Sequence, residues 1–574
     1  MIGFVELQPG KTIPELESAI DQILKKNSPD YIWKNLTAEA FPVSNYHLEK
    51  NNRALSKLII VISMIAVFVL LMVIINFINI TVGSSTARLK EIALKKTFGS
   101  GKQLIVRQFI LETFLLTIAA TCIALVVYQG SRTLFSEILQ MQFPVAWKLE
   151  REQWLYVALL IVAVSLLAGI YPALILSKTN LFNAVKGKLD GSQSSLVLRR
   201  VLLVTQFSLA VFVFICAINI SEQVKYIFNR DLGYNKDQLL VITALPKQWD
   251  SAGVARMESI KHEFLQLSGV SNVSIAFEVP DQIPFGKWEV LAPNSSSPDG
   301  QITLSLVTAD EDYAETLGLR IMNGDFFEHG KDGIVLNESA VRRLGVPIDK
   351  MVGSYIRTIA GGDGVLVRGI VRDYNYSSMQ DKIAPVGFLH LKTSNTYRFL
   401  VVRLRAGSVA QSLQGLREKW KSMTPNTPFN HTFMDDKFAA LYKTELQLQK
   451  ASKLATVLNL VIVLLGITGV VAFMLQKKGK EIAVRRVLGA GSIDIILMFI
   501  KEYAGLILIA NIIAWPVAYL VSERMLQQFA YRTGQTLASY FIALVFVAAI
   551  SFMLVALQCF RTASAKPVES LKME

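Results

Sequence analysis

Residues able to do metal or nucleotide chemistry are present in this chain, but not in working arrangements. The five histidines, His47, His262, His329, His390 and His431, are widely scattered. His262-Glu263 opens the zinc-protease pattern, which requires a second histidine one helical turn further on. Gln266 stands there instead. Gly99-Ser-Gly-Lys102 hints at a phosphate-cradling loop. A Walker A loop needs a glycine five residues before the Gly-Lys pair and Ser or Thr after the lysine; here those places hold Lys96 and Gln103. The expectation is a chain that is not an enzyme and binds no cofactor or metal of its own. Cys122, Cys216 and Cys559 each lie in or at the end of an apolar run, so they read as packing residues rather than a disulfide framework. Glu112 and Glu502 stand at the start of apolar runs, where snorkelling or helix pairing outweighs ion coupling.

One charged pattern occurs twice. Lys90-Glu-Ile-Ala-Leu-Lys-Lys-Thr-Phe-Gly-Ser-Gly101 matches Lys480-Glu-Ile-Ala-Val-Arg-Arg-Val-Leu-Gly-Ala-Gly491, and Glu112 and Glu502 keep the same spacing. Leu89, Ile92 and Ala93 share one helix face and basic residues occupy the other. Glu91–Lys95 and Glu481–Arg485 are i, i+4 pairs in the favourable order. Gly99 and Gly489 suit a helix C-terminus before a sharp turn. A single copy would read as an interfacial helix. A kept pattern of apolar, acidic and basic positions in two copies predicts a docking surface comprising Lys90, Glu91, Lys95, Lys96, Gly99, Lys480, Glu481, Arg485, Arg486 and Gly489.

The elements that position these segments are apolar. Of 574 residues 52% are hydrophobic and only 18% charged, against about 25% charged in an ordinary soluble chain. About seven runs are long enough to span a bilayer: Leu58–Ile80, Leu104–Tyr128, Trp154–Leu176, Val201–Ile220, Leu454–Leu475, Ile495–Val521 and Tyr540–Phe560. Met1–Lys11 has no apolar core, so a secretory leader is not expected there. The net charge of +14 could suggest nucleic acid, but its distribution excludes that reading: residues 221–450 hold 26 basic and 26 acidic side chains, and the excess sits beside the spans. Lysine and arginine gather between the first and second, third and fourth, and fifth and sixth runs, which the positive-inside rule assigns to the cytoplasm. The insert 221–452 then falls outside.

The insert reads as mixed α+β, with strands at Val367–Arg372 and Phe399–Leu404, a turn at Gly361–Gly364, and an amphipathic helix over Val409–Met423 capped by Ser408. A weaker match links Phe4-Val-Glu-Leu-Gln-Pro-Gly10 to Val401-Val-Arg-Leu-Arg-Ala-Gly407, and Ser56-Lys-Leu58 to Ser452-Lys-Leu454. Residues 1–57 therefore resemble the end of a domain whose complete copy is 221–452, and by that symmetry the chain is expected to be an N-terminally truncated two-half protein whose first half lacks its opening span.

The twice-repeated Lys-Glu-Ile-Ala pattern, followed by a glutamate in the next span, resembles the signature of the FtsX-like permeases. The insert resembles the MacB-like periplasmic core domain, through Asp312-Tyr-Ala-Glu-Thr-Leu-Gly-Leu319, Gly324-Asp-Phe-Phe327, Val335-Leu-Asn-Glu-Ser-Ala340, Gly369-Ile-Val-Arg-Asp-Tyr-Asn-Tyr376 and Phe433-Met-Asp-Asp436 leading to Leu441-Tyr442. The resemblance implies an α-helical polytopic membrane protein of about seven spans with a large α+β extracytoplasmic core domain, in a bacterial inner membrane. It implies 1–57 as the remnant of a first core domain, 58–180 as a first permease domain and 181–200 as a cytoplasmic linker. It further implies 201–220 as a span leading out, 221–452 as the core domain and 453–574 as a second permease domain. Its implied partners are a separate cytoplasmic ABC ATPase subunit, which carries the ATP and docks on the repeated helices, together with membrane lipid and a periplasmic adaptor or hydrolase. The implied function is ATP-driven mechanotransmission or export; the alternative is an FtsX-type regulator of a cell-wall hydrolase or sensor.

Overall fold

The computed structural model describes residues 4–28, 33, 39–43, 46–139, 141–178, 192–284, 286–293, 301–328, 332–358 and 364–563. These fall into two compact units. One comprises residues 1–217, 446–518 and 537–574, and the other 218–445 and 519–536.

The first unit is helical. Among the described residues, seven helices carry a stretch long and apolar enough to cross a membrane: Leu58–Thr81, Lys102–Glu137, Arg151–Leu174, Val197–Asn229, Lys443–Leu475, Ser492–Leu526 and Leu537–Arg561. A helix satisfies its own backbone groups, which hydrocarbon cannot do. Most helices overrun the apolar runs; the one containing the first span continues unbroken from Tyr46 to Thr97. Outward-facing Leu115, Ile123, Val126, Leu159 and Ile512 stay exposed, as a lipid-facing surface requires. The interior is built from small and aromatic residues, including Ala510, Ala514, Ala518, Ala543, Phe207, Phe499 and Tyr503. Small residues let helix backbones approach where lipid removes the hydrophobic drive for association. Gly466 marks such a contact: a Cβ there would stand 2.6 Å from Gln206 Nε2 and 2.9 Å from Asn76 Oδ1.

The second unit is α+β. Its strands are β1 (Leu239–Ile242), β2 (Val270–Ala276), β3 (Gly286–Leu291), β4 (Gln301–Ala309), β5 (Ile321–Gly324), β6 (Ile334–Asn337), β7 (Tyr355–Thr358), β8 (Val365–Val371), β9 (Val386–His390), β10 (Phe399–Leu404) and β11 (His431–Phe433). They join in the order β11-β1-β10-β2-β4-β3-β7-β8-β6-β9, with β5 on β8. A parallel β4–β9 pairing closes the second part of this path into a ring of six strands. Val290, Leu304, Ile334, Ile356, Val367 and Ile370 fill the core associated with that ring, together with Ala340 and Val341 of the helix Glu338–Leu344.

The β11-β1-β10-β2 part is buried on both faces. Along β1 and β10, Leu239, Val241, Phe399 and Val401 join one core, while Leu240, Ile242, Leu400 and Val402 join another. The period of two in a strand does this directly. The helices Ser251–Leu265 and Val409–Met423 cover the second face through Met257, Phe264, Leu416 and Trp420. Ser408 caps the latter, accepting the Gln411 N–H at 3.4 Å. Strand β10 matches the sequence expectation residue for residue, and β8 begins two residues earlier than expected. Residues 361–363 of the expected turn lie outside the described residues.

The opposite core explains the motifs quoted for the insert. Tyr313, Leu317, Phe326, Phe327, Val335, Val371, Tyr374 and Tyr376 all belong to it. Gly324 and Gly369 permit a tight crossing: a Cβ would meet the Arg368 carbonyl at 2.1 Å from one and the Asp325 carbonyl at 2.2 Å from the other. These motifs supply much of that core. The segment Tyr519–Thr536, which links the last two apolar helices, also belongs to this unit. Phe529 enters the core, Gln223 accepts the Thr533 N–H at 2.9 Å, and Gln380 O accepts the Ala530 N–H at 3.1 Å.

Candidate functional site: the paired basic helix ends

The repeated pattern forms two helix ends of matching geometry. In the first, the long helix stops at Thr97. Ser100 N–H donates to the Lys95 carbonyl at 2.9 Å and Gly99 N–H to that of Lys96 at 3.1 Å. In the second, the helix Gly479–Val487 ends with Ala490 N–H on Arg485 at 2.9 Å and Gly489 N–H on Arg486 at 3.0 Å. Gly99 and Gly489 have φ of +86° and +94°, the left-handed geometry of a Schellman cap, which glycine adopts without steric cost.

Each end is anchored by three apolar residues at equivalent places. Ile92, Ile105 and Phe109 pack together in the first copy, and Ile482, Ile495 and Phe499 share a core in the second. The opposite face points outward. Glu91, Leu94, Lys95 and Phe98 follow i, i+3, i+4, i+7 spacing and so share one side, as do Glu481, Val484, Arg485 and Leu488. On that side the glutamate and cation pair internally, Lys95 Nζ with Glu91 at 2.6 Å and Arg485 with Glu481 at 2.7 Å. The apolar members remain open: Leu94 is 61% and Phe98 83% exposed, Val484 55% and Leu488 81%. The resulting face is apolar flanked by a neutralised ion pair, and it occurs twice.

The expected residues divide accordingly. Glu91, Lys95, Glu481 and Arg485 lie on this face, and Gly99 and Gly489 terminate it. Lys96 and Arg486 are half-buried, and Arg486 reaches Ser492 Oγ at 3.4 Å. Lys90 and Lys480 belong to the helices, but their side chains lie outside the described residues. Leu94, Phe98, Val484 and Leu488 are additions from the structure. The glutamates of the following helices line this region: Glu112 borders a cleft with Glu91, Lys95 and Gln108, and Glu502 meets Arg200 at 3.3 Å and Lys478 at 3.4 Å.

Both helical segments bearing these ends correspond to one known domain. Residues 63–181 and 453–567 each match the family model of the FtsX-like permease C-terminal domain. No curated protein matches the chain. Among solved structures, the periplasmic region of MacB from Actinobacillus actinomycetemcomitans is 14% identical with a TM-score of 0.26, covering 37% of this chain and 94% of that one. The extracellular domain of the noncanonic ABC-type transporter YknZ from Gram-positive bacteria is 15% identical with a TM-score of 0.24, covering 34% and 98%. The chain thus matches the FtsX-like permease C-terminal domain twice, once on each side of its α+β insert.

Proposed function

We propose that this multi-pass membrane protein is the permease subunit of an ABC transporter, and that a separate cytoplasmic ATPase subunit docks on the two faces Glu91/Leu94/Lys95/Phe98 and Glu481/Val484/Arg485/Leu488. ATP is held by the partner. Its closure moves the paired helix ends, and the motion passes through the apolar helices to the α+β domain on the periplasmic side of the inner membrane, for mechanotransmission or export. The observation that carries this reading is the recurrence of one exposed apolar and ion-paired face in both copies. An anchor needs only lysine and arginine in any arrangement, whereas an interface core needs accessible apolar side chains with its charges arranged around them. The Lys/Arg distribution supports the sidedness, and the FtsX-like match supports the class.

The test is co-expression of the full chain with its cognate ABC ATPase, comparing wild type with the Arg485→Glu/Arg486→Glu variant. Expected are normal membrane insertion and loss of ATPase co-purification and stimulation, because like charges at an interface cost affinity. Normal insertion with full ATPase binding and stimulation would overturn the docking assignment.

A further inference from the structure

A buried polar contact inside the helical unit is unused by this function. Asn76, Gln206 and Gly466 lie on three of the apolar helices, Leu58–Thr81, Val197–Asn229 and Lys443–Leu475, and all three residues belong to the first unit. Asn76 is 9% and Gln206 1% exposed. Both side chains donate to one backbone carbonyl, that of Ile462, Asn76 Nδ2 at 3.5 Å and Gln206 Nε2 at 3.4 Å. A carbonyl only accepts, so it fixes both amides with their NH₂ ends towards it. Their oxygens, Asn76 Oδ1 and Gln206 Oε1, are buried and meet no donor among the described residues.

The two oxygens converge on one place. A Cβ built on Gly466 would stand 2.9 Å from Asn76 Oδ1 and 3.1 Å from Gln206 Oε1, so the oxygens lie no more than about two hydrogen-bond lengths apart. At the spacing of the repeat, Gly466 stands where the first copy has Asn76. The amide of one copy thus meets a notch at the equivalent position of the other, and the notch exists because the second copy has no side chain there. A buried acceptor left without a donor forfeits its hydration, and hydrocarbon supplies no replacement. One group with two donors on a single atom satisfies both oxygens. The three atoms nearest the notch are neutral amide atoms of Gln206 and Asn76, so none of them balances the charge of a cation. Water meets the requirement, since a buried water bonds two to four polar groups that otherwise lack partners.

We propose that the Gly466 notch is a water-binding site, in which one water molecule donates its two O–H groups to Asn76 Oδ1 and Gln206 Oε1. It joins the helices Leu58–Thr81 and Val197–Asn229 beside the helix that carries the notch. A bridging water is nearly as favourable as a direct bond and costs little to immobilise, so this contact can be broken and remade as the helices shift. The proposal concerns the interior of the helical unit alone and does not depend on the ATPase-docking reading.

The experiment is a density map of the full chain in lipid nanodiscs, at a resolution that shows ordered water, joined to a double-mutant cycle of Asn76→Leu and Gln206→Met read by reversible unfolding. Expected is a peak within hydrogen-bond distance of both oxygens, lost in the double variant. Each single variant should lower the folded-to-unfolded ratio about tenfold, because the remaining oxygen loses its bridge. The double variant should lose no more than either single one, as residues sharing a partner do not add. A map that orders water elsewhere but shows none in the notch, or that pairs the two amides directly, would overturn the proposal. Losses that simply add would also overturn it, since the oxygens would then share no ligand. So would a peak that vanishes when choline replaces sodium, which assigns the notch to a cation. The wild-type map decides alone where a variant does not fold.

Discussion

The two basic helix ends leave their turns alike but are entered differently. The first is the tail of one 52-residue helix, Tyr46–Thr97. The second is set off at Lys478, whose φ of −89° and ψ of 6° interrupt the assigned helix before Gly479–Val487. At the repeat spacing, Gly479 stands where the first copy has Leu89. Glycine inside a helix costs about 1 kcal/mol relative to alanine, and the interruption falls beside it. Lys478 then turns to Glu502, which also takes Arg200. The first copy instead joins Lys95 to Gln108 at 3.1 Å, where the second has Met498. The turn, the apolar anchor and the outward face are shared, whereas the connection to the preceding span is not. What the copies keep is what a partner would touch; what differs is how each would transmit movement.

The largest expected effect tests the shared part. Phe98→Asp and Leu488→Asp place a charge at the centre of each face, and loss of a central contact typically costs at least about 2 kcal/mol. Each should weaken ATPase binding by about thirtyfold or more, and the double variant should abolish co-purification. If only one of the two variants has an effect, the faces are not equivalent and the comparison breaks.

A second prediction separates the docking faces from the stability of the α+β unit. Glu278 is 6% exposed, and burial pushes its carboxyl up to about 7, although the Thr308 N–H bond and Arg398 favour the ionised form. A carboxyl raised on folding retains its proton after the unfolded chain has lost it. The contribution of this one group is therefore most favourable below about pH 4.5, is lost as pH rises towards 7, and carries its full penalty above that. Glu278→Gln should flatten this slope and raise stability at pH 8 by up to about 3 kcal/mol, read by thermal unfolding of the full chain, with ATPase binding unchanged.

Smaller effects probe the unshared part. Gly479→Leu gives the second copy the residue of the first. Helix propensity should gain about 1 kcal/mol, with a changed ratio of ATPase stimulation to ATPase binding. A proportional change in both would show that the interruption serves docking alone. Smallest is Gln108→Met, which removes the Lys95 contact from the first copy; an exposed bond of this type contributes about 0.5 kcal/mol. ATPase affinity should shift by no more than about twofold.

The sequence made the repeat, the spans and the edges of β10 legible because each rests on a local pattern: spacing, apolar length, or alternation between turns. It placed Ile92 on an apolar face with Leu89 and Ala93 but did not single out Leu94 and Phe98 as the apolar members of the other face. Large apolar side chains on both faces hide the open one, because periodicity marks where apolar residues recur and not which of them stay exposed. Lys96 and Arg486 were grouped with Lys95 and Arg485 by charge, yet one step along a helix turns a side chain by about 100°, away from the side that Lys95 shares with Glu91 and Arg485 with Glu481. The closing β4–β9 pair was beyond reach for a different reason: it joins strands about eighty residues apart, with no turn to announce it. The place of Phe529 in the α+β core was equally hidden, because its neighbours in sequence belong to membrane-spanning helices.

That last feature decides how this protein can be taken apart. A gene fragment covering 221–452 alone would leave Gln223 without Thr533 and open a gap where Phe529 packs. A crystallisable or exchangeable version needs residues 519–536 joined back as a second strand of coding sequence, through a designed linker. The same bond between distant stretches limits natural shuffling: a foreign insert arriving by recombination must match a strap encoded about seventy residues beyond its own end, so the α+β unit and the segment joining the last two apolar helices are expected to be inherited as one piece.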